Sequence, residues 1–354
     1  MAEQPSLPFV EETGGPIRDL RNRIEEVLAD VAPRIEKLPL NDFRCAEPAA
    51  LVLALGFEER TRVSAERLLT ACRPKKVVLV RLDEEGRSAV TAKLASDKTK
   101  NVTFVAVRDV LSRGLSLGGS VLVDVTGMPK SVIFSSIRTL LSHNKEVFVC
   151  RTGALAYRPS EREISRIILA ENDRDHYKLL KRMAELQMGE SGPYELIRLL
   201  PSEADESRRV ALSCFSSAKF ERLLSFLDER AYDRIEIGTP LTKTNRSIFA
   251  KIAAEVAART YPATTVTEFD CDDLGALCSH IVGRYQHWYV NAGMNFEMAL
   301  TGSKLDSVAC GAVGAAFKIA QCWALKAKNL DVDNYSVGVG QTRCIVSGCR
   351  KEGL

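Results

Sequence analysis

Ser120–Ser131 reads SVLVDVTGMPKS. Aliphatic residues run into Asp124, and Thr126, Gly127, Lys130 and Ser131 then crowd into six positions. The apolar, helix-like SVIFSSIRTLLS follows at once. A buried strand that ends in hydroxyls, a glycine and a cation, and then enters a helix, is the junction of a parallel α/β sheet. In such sheets ligands bind beyond the carboxyl ends of the strands, where helix N-termini point N–H groups outward.

Working outward from this junction, strand and helix patterns alternate. LVLAL (Leu51–Leu55) reads as a buried strand and Glu58 to Cys72 as a helix; KVVLVRL is a second strand and SAVTAKLAS a second helix. VTFVAV is a third strand, VLVDV a fourth, and EVFVCR closes the set. Continuous aliphatic strands separated by helices predict a parallel sheet covered on both faces. The alternation restarts after residue 208, with the strands RRVALSCF, RIEIGTP, TTVTEFD and YSVGVG. Between them fall the helices AKFERLLSFL, RSIFAKIAAEVAART and LGALCSHIVGRYQHWYV, and a long apolar helix SVACGAVGAAFKIAQCWALKA.

The two halves rhyme. LVLALGFEERTRVSAERLL has its counterpart in RVALSCFSSAKFERLL, and SVLVDVTGMPKSVIFSSIRTLL in NFEMALTGSKLDSVACGAVGAAF. The fold expected is therefore α/β: two tandem Rossmann-like domains with mainly parallel sheets, joined by a helical connector. The segmentation is a tail and helix over 1–49, a first domain over 50–159, a connector over 160–208 and a second domain over 209–354. Within the first segment, Pro16 to about Leu38 has helical spacing, broken at Pro33. The connector, including PYELIRLL, reads as helical and strongly charged.

Composition narrows the function. Hydrophobic residues make up 45% and charged residues 27%, the balance of a soluble chain able to bury real cores. No apolar run reaches the roughly 18 residues of a membrane span, and MAEQPSLPFVEETGG lacks a basic-then-apolar export signal. The ten cysteines include no CxxC pair, which suits a reducing cytoplasm where cysteine serves as a small apolar residue. A net charge of +3 permits an anionic partner, but with 6% aromatic residues and no basic–aromatic interleaving a dedicated nucleic-acid groove is not signalled. No cofactor is indicated. Cys271, Cys278, His280 and His287 match no familiar zinc spacing, so no metal is expected.

The chemistry concentrates at strand ends. Thr126, Gly127, Lys130 and Ser131 in one half face Thr301, Gly302, Ser303 and Lys304 in the other. Glycine lets a backbone approach a ligand closely, hydroxyls donate, and the lysines add charge to the positive helix end, a set suited to phosphate or a nucleotide. The same Thr and Ser would also serve as plain helix caps. The motif is not a P-loop, since Pro129 rather than glycine precedes Lys130, and neither half has a GxGxxG after its first strand. The first-strand ends add Gly56, Phe57 and Arg60 in one half and Ser213 and Ser216 in the other, with Thr239 in the polar loop GTPLTKTNR. Asp83-Glu84-Glu85 stands at that loop's place in the first half. Glu58 and Glu59 are the weak candidates for a general base.

A Rossmann-like unit whose fourth strand ends in Asp-x-Thr-Gly-x-x-Lys resembles the CARF domains of CRISPR-associated sensors. Two such units in one chain are similar to SAVED domains. Asp124, Thr126, Gly127 and Lys130 match the pattern; Met128 and Ser303 stand where the family usually has a second glycine, and Ala299 where the second half would have its Asp. The resemblance implies a cytoplasmic sensor of a nucleotide second messenger, such as a cyclic oligonucleotide, in prokaryotic antiviral defence. It also implies a separate effector as partner, with no membrane and with room for a homo-oligomer. Two alternatives stay open: an enzyme acting on a nucleotide or phosphorylated sugar, such as a ring-nuclease-like phosphodiesterase, and an interaction scaffold without a ligand.

Overall fold

The computed structural model describes residues 37–39, 48–82, 101–143, 146–170, 175–186, 189–201, 204–331 and 335–347. In chain order these form β1 (Lys37–Pro39), β2 (Ala50–Ala54), α1 (Glu59–Cys72), β3 (Lys76–Arg81), β4 (Asn101–Ala106), α2 (Val107–Arg113), β5 (Val121–Asp124), α3 (Lys130–Ser142), β6 (Val147–Thr152) and β7 (Ala156–Tyr157). Then come α4 (Glu161–Ala170), α5 (His176–Glu185), β8 (Glu190–Arg198), β9 (Val210–Phe215), α6 (Glu221–Glu229), β10 (Arg234–Pro240), α7 (Asn245–Thr260) and β11 (Thr264–Phe269). Last are α8 (Leu274–Tyr285, continued by a π-helical turn), β12 (Asn295–Ala299), α9 (Lys304–Ala316), β13 (Gln321–Leu330), β14 (Ser336–Val337) and β15 (Thr342–Ser347).

Two sheets carry the fold. The first has the order β1-β15-β6-β5-β2-β3-β4 and the second β11-β10-β9-β12-β13-β8. In each, five strands are parallel in the order 3-2-1-4-5, counted from the first strand of that half. This is the doubly wound order, in which the strand sequence reverses between the first and fourth strands and opens a crevice there. The aliphatic runs make this possible: Ala50–Ala54 and Val121–Asp124 are buried along their whole length, as a sheet with helices on both faces requires. The expected pair of Rossmann-like units is therefore present.

Several segments differ from the sequence reading. The final strand β15 leaves the second half and pairs antiparallel with β6 in the first sheet, where β1 pairs with it in turn. Lys37 and Leu38, read as the end of a helix, belong to that edge; the rest of that helix, the helix SAVTAKLAS and Asp83–Glu85 lie outside the described residues. Within the expected connector, PYELIRLL is not helical but part of β8, antiparallel to β13. Leu196 and Ile197 pack into apolar clusters on opposite faces of the sheet, a period of two rather than 3.6. The long apolar helix stops at Ala316, and Gln321–Leu330 becomes β13. YSVGVG contributes only the two residues of β14, which pair with β7. Cys150 and Cys344, directly opposite in the β6–β15 register, form a disulfide with Cα atoms 4.3 Å apart. These two are therefore not the small apolar residues the composition suggested. No helix among the described residues is long and apolar enough to cross a membrane.

The halves meet through α3 and α9, the helices that follow the two Thr-Gly turns. Gly311 and Gly314 of α9 lie against Phe134 and Ile137 of α3, so small residues let the two helices approach closely. One apolar cluster runs through this contact, from Val123 and Val132 of the first half to Phe296, Val308 and Val313 of the second. The helix contact brings the carboxyl ends of β5 and β12 to the same junction.

Candidate functional site

Both Thr-Gly turns are shaped by the protein's own backbone. A Cβ on Gly127 would lie 1.9 Å from the Ala54 carbonyl oxygen, and one on Gly302 2.6 Å from Phe215 Cβ. Each turn thus presses against the end of the neighbouring first strand, which explains the glycine without any ligand. The threonines act likewise. Thr126, 1% exposed, donates to Asp124 Oδ1 and accepts the Thr152 amide at 2.8 Å, within a buried set that includes Ser64, Thr152 and Thr342. Thr301 donates to the Phe215 carbonyl at 2.6 Å and accepts that residue's amide. Ser303 caps α9 in a reciprocal box with Asp306. Ser131 is buried in the first turn of α3.

The lysines do something different. Lys130 and Lys304 each occupy the first position of their helix, and each reaches across to the other half. Lys130 Nζ donates to the Leu300 carbonyl at 3.0 Å, and Lys304 Nζ donates to the Thr126 carbonyl. Each ammonium thereby lands in a nest of charges. Lys304 sits among Arg60, Arg151, Glu58 and Asp124; Lys130 sits among Arg222, Lys219, Glu190 and Asp306. Both nests hold three cations and two carboxylates.

The carboxylates are gripped by arginine forks. Glu58 takes Arg60 Nη2 at 2.7 Å and Nε at 2.9 Å, while Glu190 takes the Nε and Nη2 of Arg222, with Lys219 Nζ at 3.4 Å. Bidentate arginine–carboxylate pairs are the strong form of this contact, and phosphate fits the same fork. Burial raises the Glu190 carboxyl, but the charge and hydrogen bonds of Arg222 prevail and bring it to about 2. At Glu58 burial is likewise outweighed by hydrogen bonds from Arg60 and Ser336, which hold the carboxyl below its ordinary value. The lysines move the other way. Burial, reinforced by the neighbouring guanidinium, brings Lys304 and Lys219 to about 7 and pushes Lys130 well down. Burial also raises the carboxyls of Asp124 and Asp306, so in both nests it weakens charges of either sign.

Tyr335 and Ser336, at the start of β14, touch this junction. Tyr335 has its ring 3.3 Å from Lys219 Nζ and meets Phe57 edge-on at 5.5 Å. Ser336 donates to Glu58. Tyr157, paired with Ser336 across β7–β14, accepts from Arg60 at 3.1 Å and from Arg151 at 3.2 Å.

Of the residues singled out in the sequence, Phe57, Glu58, Arg60, Lys130 and Lys304 meet at this junction, with Gly56, Thr126, Gly127, Ser131, Thr301, Gly302 and Ser303 as its frame. Glu59 faces outward beside Arg62 on α1. Ser213 lies within β9 and Thr239 within β10, both buried, and Ser216 donates to the Ala250 carbonyl at 2.6 Å. Those three hydroxyls are turned into the fold because the second-half strands run one or two residues farther than their first polar residue suggests. His280 stacks on Phe269 at 4.6 Å and Cys278 is core; among the described residues no group of three or more His, Cys, Asp or Glu could hold a metal. Sequence reading missed Arg151, Tyr157, Glu190, Lys219, Arg222, Tyr335 and Ser336. One signal was available: Arg222 stands second in its helix after Glu221, as Arg60 does after Glu59.

No protein-family model matches the chain, and no curated protein matches it. Among solved structures, a type III CRISPR defence DNA nuclease activated by cyclic oligoadenylate is similar over 82% of this chain and 67% of its own, with 11% identity and a TM-score of 0.45. A putative methyltransferase from Thermobifida fusca is similar over 51% of this chain and 69% of its own, with 13% identity and a TM-score of 0.24. A geranyl diphosphate methyltransferase in complex with GPP and sinefungin covers 53% and 69%, with 13% identity and a TM-score of 0.21.

Proposed function

We propose that the chain binds a nucleotide-derived anion, of the cyclic-oligonucleotide kind, at the junction of its two halves, and relays its presence to a separate effector in antiviral defence. The observation that carries this reading is the exchange of lysines. Lys130 and Lys304 cross between the halves, and each joins two further cations and two carboxylates on the far side. A phosphate reaching either nest would take over an ammonium now held by a main-chain carbonyl, a neutral and weaker acceptor. Because each lysine bridges the halves, that exchange would change the contact between them, which is how differential binding becomes a signal. The defence setting rests on the Asp-x-Thr-Gly-x-x-Lys resemblance in Asp124–Lys130.

A binding role is favoured over hydrolysis by the state of Glu58. Its carboxylate is held by Arg60 and Ser336 and kept acidic, the reverse of what a general base near neutrality needs. The test is titration of the protein with a panel of labelled cyclic oligonucleotides. Lys130→Ala and Lys304→Ala are each expected to weaken binding about ten- to a hundredfold, as loss of a charged hydrogen bond does. Wild-type affinity in both variants would refute the reading. Ligand recovered intact after long incubation is the expected companion result.

A further inference from the structure

The junction already holds anions of the protein's own. We infer that Glu58 and Glu190 occupy the two anion subsites in the unliganded chain, and that the Tyr335–Ser336 segment is a strap latching them there, so that ligand enters by displacing it. The inference rests on the binding reading above and adds how access to that site is controlled.

Three observations converge. First, the subsites are built alike and filled alike: the second helical residue of α1 and of α6 is an arginine whose fork closes on a glutamate. The glutamates come from unrelated places, Glu58 from the loop before α1 and Glu190 from the start of β8. An anion at that spot is thus common to both halves although no shared sequence supplies it. Second, the strap touches both nests at once. Ser336 donates to Glu58, and the Tyr335 ring covers Lys219, the lysine 3.4 Å from Glu190. Third, its anchorage is slight. It pairs with β7 through two residues, Ser336 with Tyr157 and Val337 with Ala156, with one further main-chain bond from the Arg158 amide to the Tyr335 carbonyl at 3.4 Å. Val337 is 46% exposed, and Leu155 beside it 76%. Beyond it, the chain is pinned at Gly340, whose amide donates to the Gly153 carbonyl at 2.9 Å. A two-residue ladder with an open outer face belongs to the low-stability end of a fold.

The test compares wild type with Tyr335→Ala/Ser336→Ala, using inorganic tripolyphosphate at neutral pH as probe and calorimetry as readout. Affinity is expected to rise about tenfold in the double variant, through the loss of a cation–π contact and a hydrogen bond to a carboxylate. Tyr335→Phe, which keeps the ring over Lys219, should bind as wild type does. Amide exchange in residues 335–338 of the wild-type protein should speed up when tripolyphosphate is added. Equal affinities, or weaker binding in the double variant, would overturn the strap while leaving the binding reading intact if Lys130→Ala and Lys304→Ala still lose affinity. Binding that neither lysine variant disturbs refutes the site itself. Absence of binding in wild type and double variant refutes both.

Discussion

The nest around Lys304 and the nest around Lys130 contain the same charges drawn from different parts of the chain. The first is local: Glu58 and Arg60 are two residues apart, and Asp124 lies in the strand that ends in the Thr-Gly turn. The second is assembled from a distance. Glu190 begins the antiparallel edge strand β8, Arg222 and Lys219 belong to the α6 region, and Asp306 sits on α9, whereas β12 has Ala299 where β5 has Asp124. What recurs between the halves is the crossing lysine and the arginine second in its helix, while the carboxylates come from different places.

The comparison breaks most sharply at the arginine forks. Arg222→Ala leaves Glu190 buried with Lys219 as its contacting cation, and the expected cost is about 3–5 kcal/mol, as for one partner removed from a buried pair. Arg60→Ala should cost less, about 1–3 kcal/mol, because Glu58 keeps its hydrogen bond from Ser336. Urea denaturation measures both, and equal losses would show that the two nests are braced alike.

The glycines give the next largest effect. In Gly127→Ala the new methyl meets the Ala54 carbonyl, a main-chain group that cannot yield; in Gly302→Ala it meets the Asp306 carboxylate and Phe215. Overpacking of this kind costs about 1–3 kcal/mol, with Gly127→Ala at the upper end. A smaller loss at Gly127 than at Gly302, measured by the same denaturation, would reverse that order.

The lysines then sharpen the comparison through pH. Lys304 and Lys219 lie near 7 in the free protein, one in each nest. A bound phosphodiester, which does not titrate in this range, raises both. Above pH 7 the complex therefore holds protons that the free protein lacks, and affinity falls as pH rises, by up to about tenfold per pH unit for each lysine. Titrations of a labelled cyclic oligonucleotide at pH 6.5, 7.5 and 8.5 check the sign, and Lys304→Arg should flatten part of the slope because a guanidinium stays charged.

Much of the fold was legible because it is written locally. The aliphatic runs of β2, β3, β5 and β9 and the Thr-Gly turns stand out in any window, and they predict the parallel sheets and the junction. Segments whose state is set by distant partners did not. β8 has helix-like composition, yet pairing with β13 decides it, and β15 joins the first sheet from the far end of the chain. The site divides the same way. Lys130, Lys304, Arg60 and Phe57 could be named from their positions beside strand ends, whereas Glu190 and Tyr335 reach the junction only through tertiary packing. The Cys150–Cys344 pair, separated by 194 residues, carries no local signal at all.

The smallest effect isolates an acid whose matching position in the second half carries none. Asp124 is 1% exposed and accepts the Thr126 amide at 3.0 Å and its hydroxyl, while the matching Ala299 accepts nothing through its side chain. Burial raises the Asp124 carboxyl above its ordinary value, in spite of those bonds. An acid of this kind contributes stability at low pH that is lost as pH rises through its folded value, because the unfolded chain ionises more readily. Asp124→Asn keeps an oxygen for Thr126 and removes the ionisation. The variant should match wild type at pH 4 and be the more stable of the two at pH 8, as urea denaturation at the two pH values would show. If the variant instead falls behind wild type as pH rises, Asp124 is ionised in the fold and serves Lys304 as a counter-ion, which would make the first nest the more tightly charge-paired of the two.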